Sequence, residues 1–196
     1  MKQQPLILGA VLLALFCGAP GAGAQTIERT APIAANSDGV GGFNAFYGDA
    51  FTAGESGRAF ASVYTFDVTG IPFDAAASVT SSWLDSPATK DLLITGLSLY
   101  RFDPATLAII GNAVAGIDLT GFGENPVDSW SVSAFNLPVG SYALRVDGQV
   151  VGIGGGSFGG DLTVSPVPEA SSWAMLLAGL AAGTLARRRR PGIKRE

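Results

Sequence analysis

Phe60-Ala61-Ser62-Val63-Tyr64-Thr65-Phe66-Asp67-Val68 is the stretch on which the fold class turns. Its large apolar residues, Phe60, Tyr64, Phe66 and Val68, recur at period two, the spacing of a strand with one buried face. Outward from it, short runs of β-type residues alternate with Gly, Pro, Asn and Asp. Residues 78–84 align Val79 with Trp83, and residues 130–137 align Trp130 with Val132. In 92–102, alternation puts Leu93, Leu97 and Leu99 on one side and Ile94 and Tyr100 on the other. Residues 142–146 alternate cleanly, Asp147-Gly148 offers a hairpin turn into 149–153, and 161–165 reads as a last strand. The stretch 26–57 is richer in Gly and Asn and predicts a loose lead-in or an edge strand around 43–51. Six or seven short strands predict an all-β fold: an antiparallel β-sandwich or jelly-roll-like domain, each sheet solvated on one face.

The apolar ends of the 196-residue chain are set aside from that domain. Lys2 followed by the apolar run 6–16 is too short for a stable membrane span and fits a secretory leader. Ala22-Gly23-Ala24 then supplies an A-x-A cleavage pattern before Gln25. This predicts a signal peptide over 1–24 and a β-rich exported domain over 25–165. A bulky Phe16 directly before Cys17 argues against a lipid-attachment site.

At the other end, residues 171–186 carry no charge and are followed by Arg187, Arg188, Arg189 and Arg190. As a helix, those sixteen residues would cover about 24 Å, short of the hydrocarbon thickness without local thinning. The arginines would stay cytoplasmic by the positive-inside rule. Leader and tail agree in topology, so the middle domain is expected beyond the inner membrane.

Composition bounds the chemistry. Residues 25–167 hold five cations against fourteen acids, a net charge of about −9. An acidic surface without Lys/Arg clusters disfavours nucleic acid. The chain has no His, and its single Cys lies in the leader. Ser-His-Asp and Cys-His catalysis and Cys/His metal sites are therefore excluded from the domain.

Val167-Pro168-Glu169-Ala170, the apolar helix opening Ser-Ser-Trp-Ala and the Arg run closely resemble the PEP-CTERM sorting signal of Gram-negative bacteria. Ala170 departs from the family pattern, which has a second Pro there. The resemblance covers about 30 residues, 166–196, and implies sorting rather than an activity. Its implied partners are signal peptidase, an exosortase that processes the tail, and the inner membrane before processing. The mature protein would reach the cell surface or an exopolysaccharide matrix. More faintly, Phe60-x-Ser62-x-Tyr64-Thr65-Phe66 and the stretch from Leu137 to Leu144 resemble the FxDxF-type group, with Ser62 where that group has Asp.

Other motifs are weaker. The glycine-rich 152–157 lacks the following helix of a dinucleotide loop and reads as a flexible hairpin loop. The scattered acids form no calcium-loop pattern, although a fold could gather them. Trp83, Trp130, Tyr47 and Tyr100 could stack on sugar rings if exposed, or anchor the core. The expectation is a non-enzymatic surface or matrix protein without cofactor; the alternative is a carbohydrate-binding module, Ca²⁺-assisted if acids converge. A small hydrolase would need two facing carboxylates.

Overall fold

The computed structural model describes residues 25–70, 72–82, 90–121, 127–167 and 174–181. Its strands form two sheets. The five-stranded sheet runs β1 (Ile27–Pro32), β4 (Ala59–Val68), β10 (Gly140–Val150), β6 (Leu92–Phe102), β7 (Ile109–Ala115). The six-stranded sheet runs β2 (Asn36–Ser37), β3 (Phe43–Thr52), β11 (Gly155–Pro166), β5 (Phe73–Ser82), β9 (Ser129–Leu137), β8 (Ile117–Asp118). The all-β expectation holds, with one correction: β1 runs parallel to β4, and every other pair is antiparallel. The chain leaves β1 for the other sheet, where it builds β2 and β3, and so returns to β4 in the same direction as β1.

The alternation read in 60–68 is the fold's centre. Phe60, Tyr64, Phe66 and Val68 point from β4 into a core that both sheets share. Across it, Phe51 lies 4.5 Å from Phe60, Tyr47 4.9 Å from Tyr64, and Phe43 5.9 Å from Phe66, all three partners on β3. Such aromatic pairs add about 0.5–1.5 kcal/mol each beyond the area they bury. The two stretches that carried the fainter resemblance are register partners in adjacent strands, with Tyr142 opposite Phe66 and Leu144 opposite Tyr64.

Several expectations are overturned locally. On β6, Ile94 faces the core with Leu97 and Leu99, while Leu93 turns outward. The reason is a bulge: Asp147 pairs with Gly96 but Gly148 with Ile94, so one extra residue flips the parity of the strand. Asp147-Gly148 is not a turn but the interior of β10, because Gly148 lies against the Phe60 ring. A Cβ there would stand 2.5 Å from Phe60 Cζ, so only glycine keeps the strand flat beneath the ring. No separate strand covers 149–153; β10 ends at Val150, and β11 begins at Gly155, earlier than expected. Finally, β3 is an inner strand between β2 and β11 rather than an edge.

Arg29 ties the first strand to the opposite sheet. Its guanidinium pairs with Asp49, donates to the Ala50 carbonyl at 2.9 Å and to Glu55 Oε1 at 2.7 Å, and lies 4.9 Å from the Phe51 ring centre. Ser62 Oγ donates to the other Asp49 oxygen at 2.8 Å. Glu55, in the short 3₁₀ turn Ala53–Glu55, also accepts from the Thr52 N–H at 2.8 Å and the Thr52 hydroxyl at 3.1 Å. The Thr52 N–H, with its hydroxyl and Arg29, holds the Glu55 carboxyl below its ordinary value. A folded-state value below the unfolded one stabilises above the ordinary carboxylate range, and that contribution is lost as pH falls through it. Glu55→Gln should therefore cost about 1 kcal/mol at pH 7 and flatten the loss of stability between pH 5 and about pH 3, read by urea titration at each pH. An unchanged acid limb would place its origin elsewhere.

Among the described residues, no helix is long and apolar enough to cross a membrane. Of the expected span 171–186, residues 174–181 are described and are helical, with Met175, Leu176, Leu177 and Leu180 exposed. The ends of that span lie outside the described residues.

Candidate functional site

The outward face of the five-stranded sheet follows from strand register. One row crosses it as Pro32, Thr65, Ala143, Tyr100; the next as Thr30, Val63, Arg145, Ser98; a third, on the other side, as Asp67, Ser141, Phe102. Ala143 is the smallest side chain at the centre of this grid. Larger neighbours, Tyr100, Phe102, Val63 and Thr65, surround and bury it, and together they line a hollow of about 170 Å³. Leu107, from the turn between β6 and β7, overhangs that hollow at 74% exposure. It adopts φ 59°, unusual for a γ-branched residue, held by its N–H to the Asp103 carbonyl at 2.7 Å.

Beside the hollow lies a larger groove of about 530 Å³, and Thr65 and Phe102 line both. Ile33, Phe43 and Pro104 make its apolar part, and Asp67 and Ser141 its polar part. Ser141 Oγ donates to Asp67 at 2.7 Å. On the opposite side, Arg145 Nε donates to both Asp147 oxygens at 2.9 Å, and Nη2 stands 2.8 Å from Asp147. Burial raises the Tyr100 phenol above its ordinary value; the Arg145 charge works against that and Asp147 with it. The face thus combines a half-buried aromatic wall with polar groups fixed at its margins.

The other aromatic candidates are arranged differently. Tyr47 is a core residue whose hydroxyl donates to the Ser78 carbonyl at 2.6 Å, and Trp130 packs partly buried against the core. Trp83 lies outside the described residues. Of the described members of the set, Tyr100 alone reaches this outer face; Phe102, two residues on, was not singled out by the sequence, although the same parity carries both.

The glycine run at 152–157 is a corner between sheets, not a hairpin loop. Val151 and Gly152 both donate to the Asp91 carbonyl, at 2.9 and 2.8 Å, and the chain crosses from β10 to β11 in the other sheet. Gly155 there has φ +99°, and a Cβ would meet the Phe51 carbonyl at 2.1 Å. Among the described residues, no group of three or more acids gathers into a metal-ligand set, so the Ca²⁺-assisted reading finds no site there.

Of the sorting residues, two are described. Gln25 is exposed, its carbonyl accepting from Arg58 Nε at 3.0 Å. Val167 donates to the Pro72 carbonyl at 3.0 Å, immediately after β11 ends at Pro166. Ala22, Ala24, Pro168, Glu169, Ala170 and Arg187 to Arg190 lie outside the described residues.

Comparison with known proteins gives one family match: residues 166–190 match the PEP-CTERM protein-sorting motif, and the chain carries that motif. The motif implies export and transient membrane anchoring before exosortase processing. No curated protein matches the chain. Among solved structures, PliG of Aeromonas hydrophila, a periplasmic lysozyme inhibitor of g-type lysozyme, is similar at 12% identity and TM-score 0.32, over 72% of this chain and 98% of that one.

Proposed function

We propose that the protein is an exosortase-processed surface or extracellular-matrix component, built on a β-sandwich and acting by binding and packing rather than catalysis. The sorting motif at 166–190 carries the reading. The end of the fold supports it: among the described residues the last strand stops at Pro166, Val167 still bonds to the body, and residues 174–181 beyond it are exposed, so removing the tail takes away none of the described core. In this reading signal peptidase cuts before Gln25, the tail holds the chain at the inner membrane, and the processed domain joins the cell surface or its exopolysaccharide. Carbohydrate binding is a second reading, favoured by the aromatic hollow over Ala143.

The test is intact-mass measurement of the protein recovered from each cell fraction. The expected product starts at Gln25, lacks the Arg cluster, and is found at the surface or in the medium. Replacing Pro168 and Glu169 together by Ala should leave most of the protein membrane-bound with its tail. A mature protein found in the cytoplasm would defeat the proposal.

A further inference from the structure

We infer that the hollow over Ala143, with the groove beside it, is a binding site for a neutral oligosaccharide, Tyr100 and Phe102 forming its stacking wall. The inference deepens the carbohydrate reading above and rests on it. A sugar ring has an apolar C–H face and a polar margin, so it needs a flat apolar wall bounded by fixed hydrogen-bonding groups. Tyr100 and Phe102 stand side by side on alternate outward positions of β6, next to Ala143 and Ser141 of β10. The small Ala143 side chain opens space beside the rings, and Leu107 closes the far side. Arg145 is held by Asp147 and Ser141 by Asp67, so the polar margin is already oriented before a ligand arrives.

Two features select the ligand class. Charge argues against an acidic glycan: Arg145 is engaged by Asp147, and the remaining charged side chains on this face, Glu28 and Asp67, are acids. Position argues against a peptide strand. The hollow lies on the face of the sheet, where the β4, β10 and β6 backbones are already paired, so an extended peptide would find no ladder to join. Sugar hydroxyls directed away from the wall keep their water. The hollow and the groove adjoin at Thr65 and Phe102, which is why an oligosaccharide rather than a single sugar is the ligand proposed.

The test is affinity electrophoresis of the purified full chain through gels containing laminarin, dextran or galactomannan, with alginate as the acidic comparison. Retardation is expected in at least one neutral gel and not in alginate. Tyr100→Ala and Phe102→Ala should each raise the dissociation constant about tenfold or more. Ala143→Val, which keeps both rings but fills the hollow, should do the same; because Ala143 is buried, its thermal midpoint is read alongside, so that lost binding is told apart from lost folding. Phe135→Ala, an exposed ring on the other sheet, should leave retardation unaltered. Free migration in all three neutral gels, stronger retardation in alginate, or wild-type retardation of Tyr100→Ala would overturn the assignment. Cell fractionation separates the two readings: a surface-located protein that migrates freely removes this site alone, and a cytoplasmic one removes the export reading.

Discussion

Phe60→Ala should lower the unfolding free energy by about 3–5 kcal/mol, a large share of the roughly 5–15 kcal/mol available to a domain. Phe60 is 1% exposed and sits among aromatic rings, 4.5 Å from Phe51 and 5.8 Å from Phe158. Beneath it Gly148 contributes no side chain, so the phenyl ring fills the space that the glycine leaves. Phe51 and Phe158 are fixed to β3 and β11 and cannot close over the void, which is the circumstance in which truncation costs most. Phe60→Leu should lose less, since it keeps most of the apolar volume. Urea denaturation followed by far-ultraviolet dichroism reads both. A loss under about 1 kcal/mol for Phe60→Ala would mean that the two sheets do not close over this ring.

The second large effect is expected at Asp128, which is 2% exposed. Its carboxylate accepts the Ile94 N–H at 2.8 Å and pairs with Lys90. Its own N–H donates to Ser81 Oγ at 2.8 Å, and its carbonyl accepts the Ser81 N–H at 2.9 Å. One residue at the start of β9 therefore holds β5 in its own sheet and β6 in the other. Asp128→Ala strands the Ile94 amide without an acceptor and leaves Lys90 unpaired. The Lys90 side chain is 31% exposed and can turn to water, so the amide carries most of the cost, about 2–4 kcal/mol in all. Asp128→Asn keeps an acceptor for Ile94 and should cost roughly half of that. Adding Lys90→Met to Asp128→Asn should recover part of the loss, because no charge is then left alone. Strict additivity of the two changes in urea denaturation would show that the pair does not interact.

The strands that were legible have one wet and one dry face. In β4 and β9 that contrast holds over most of the strand, and the boundaries expected there, 60–68 and 130–137, match the observed strands to within a residue. β7 escaped because all seven of its residues are exposed and Ile109-Ile110 stand together before Gly111, so no alternation marks it. The parity error on β6 has the same root in local geometry. A bulge adds a residue that only the partner strand reveals, and Gly96 in the run was the one available hint. Gly148 was misleading because Asp-Gly is a good turn signal; its requirement comes from Phe60, 88 positions earlier. The sorting tail was readable because membrane machinery reads a linear segment. The hollow over Ala143 was only partly readable: Tyr100 stood out as an aromatic, but the small residue that makes room beside it belongs to another strand.

The position of β11 sets the order in which the molecule can be finished. It is the last strand made, yet it lies between β3 and β5, with β2 and β9 beyond them. Until residues 155–166 have emerged, the six-stranded sheet is two separate halves whose inner edges have nothing to pair with. Closure of that sheet therefore waits on the segment just ahead of the sorting motif.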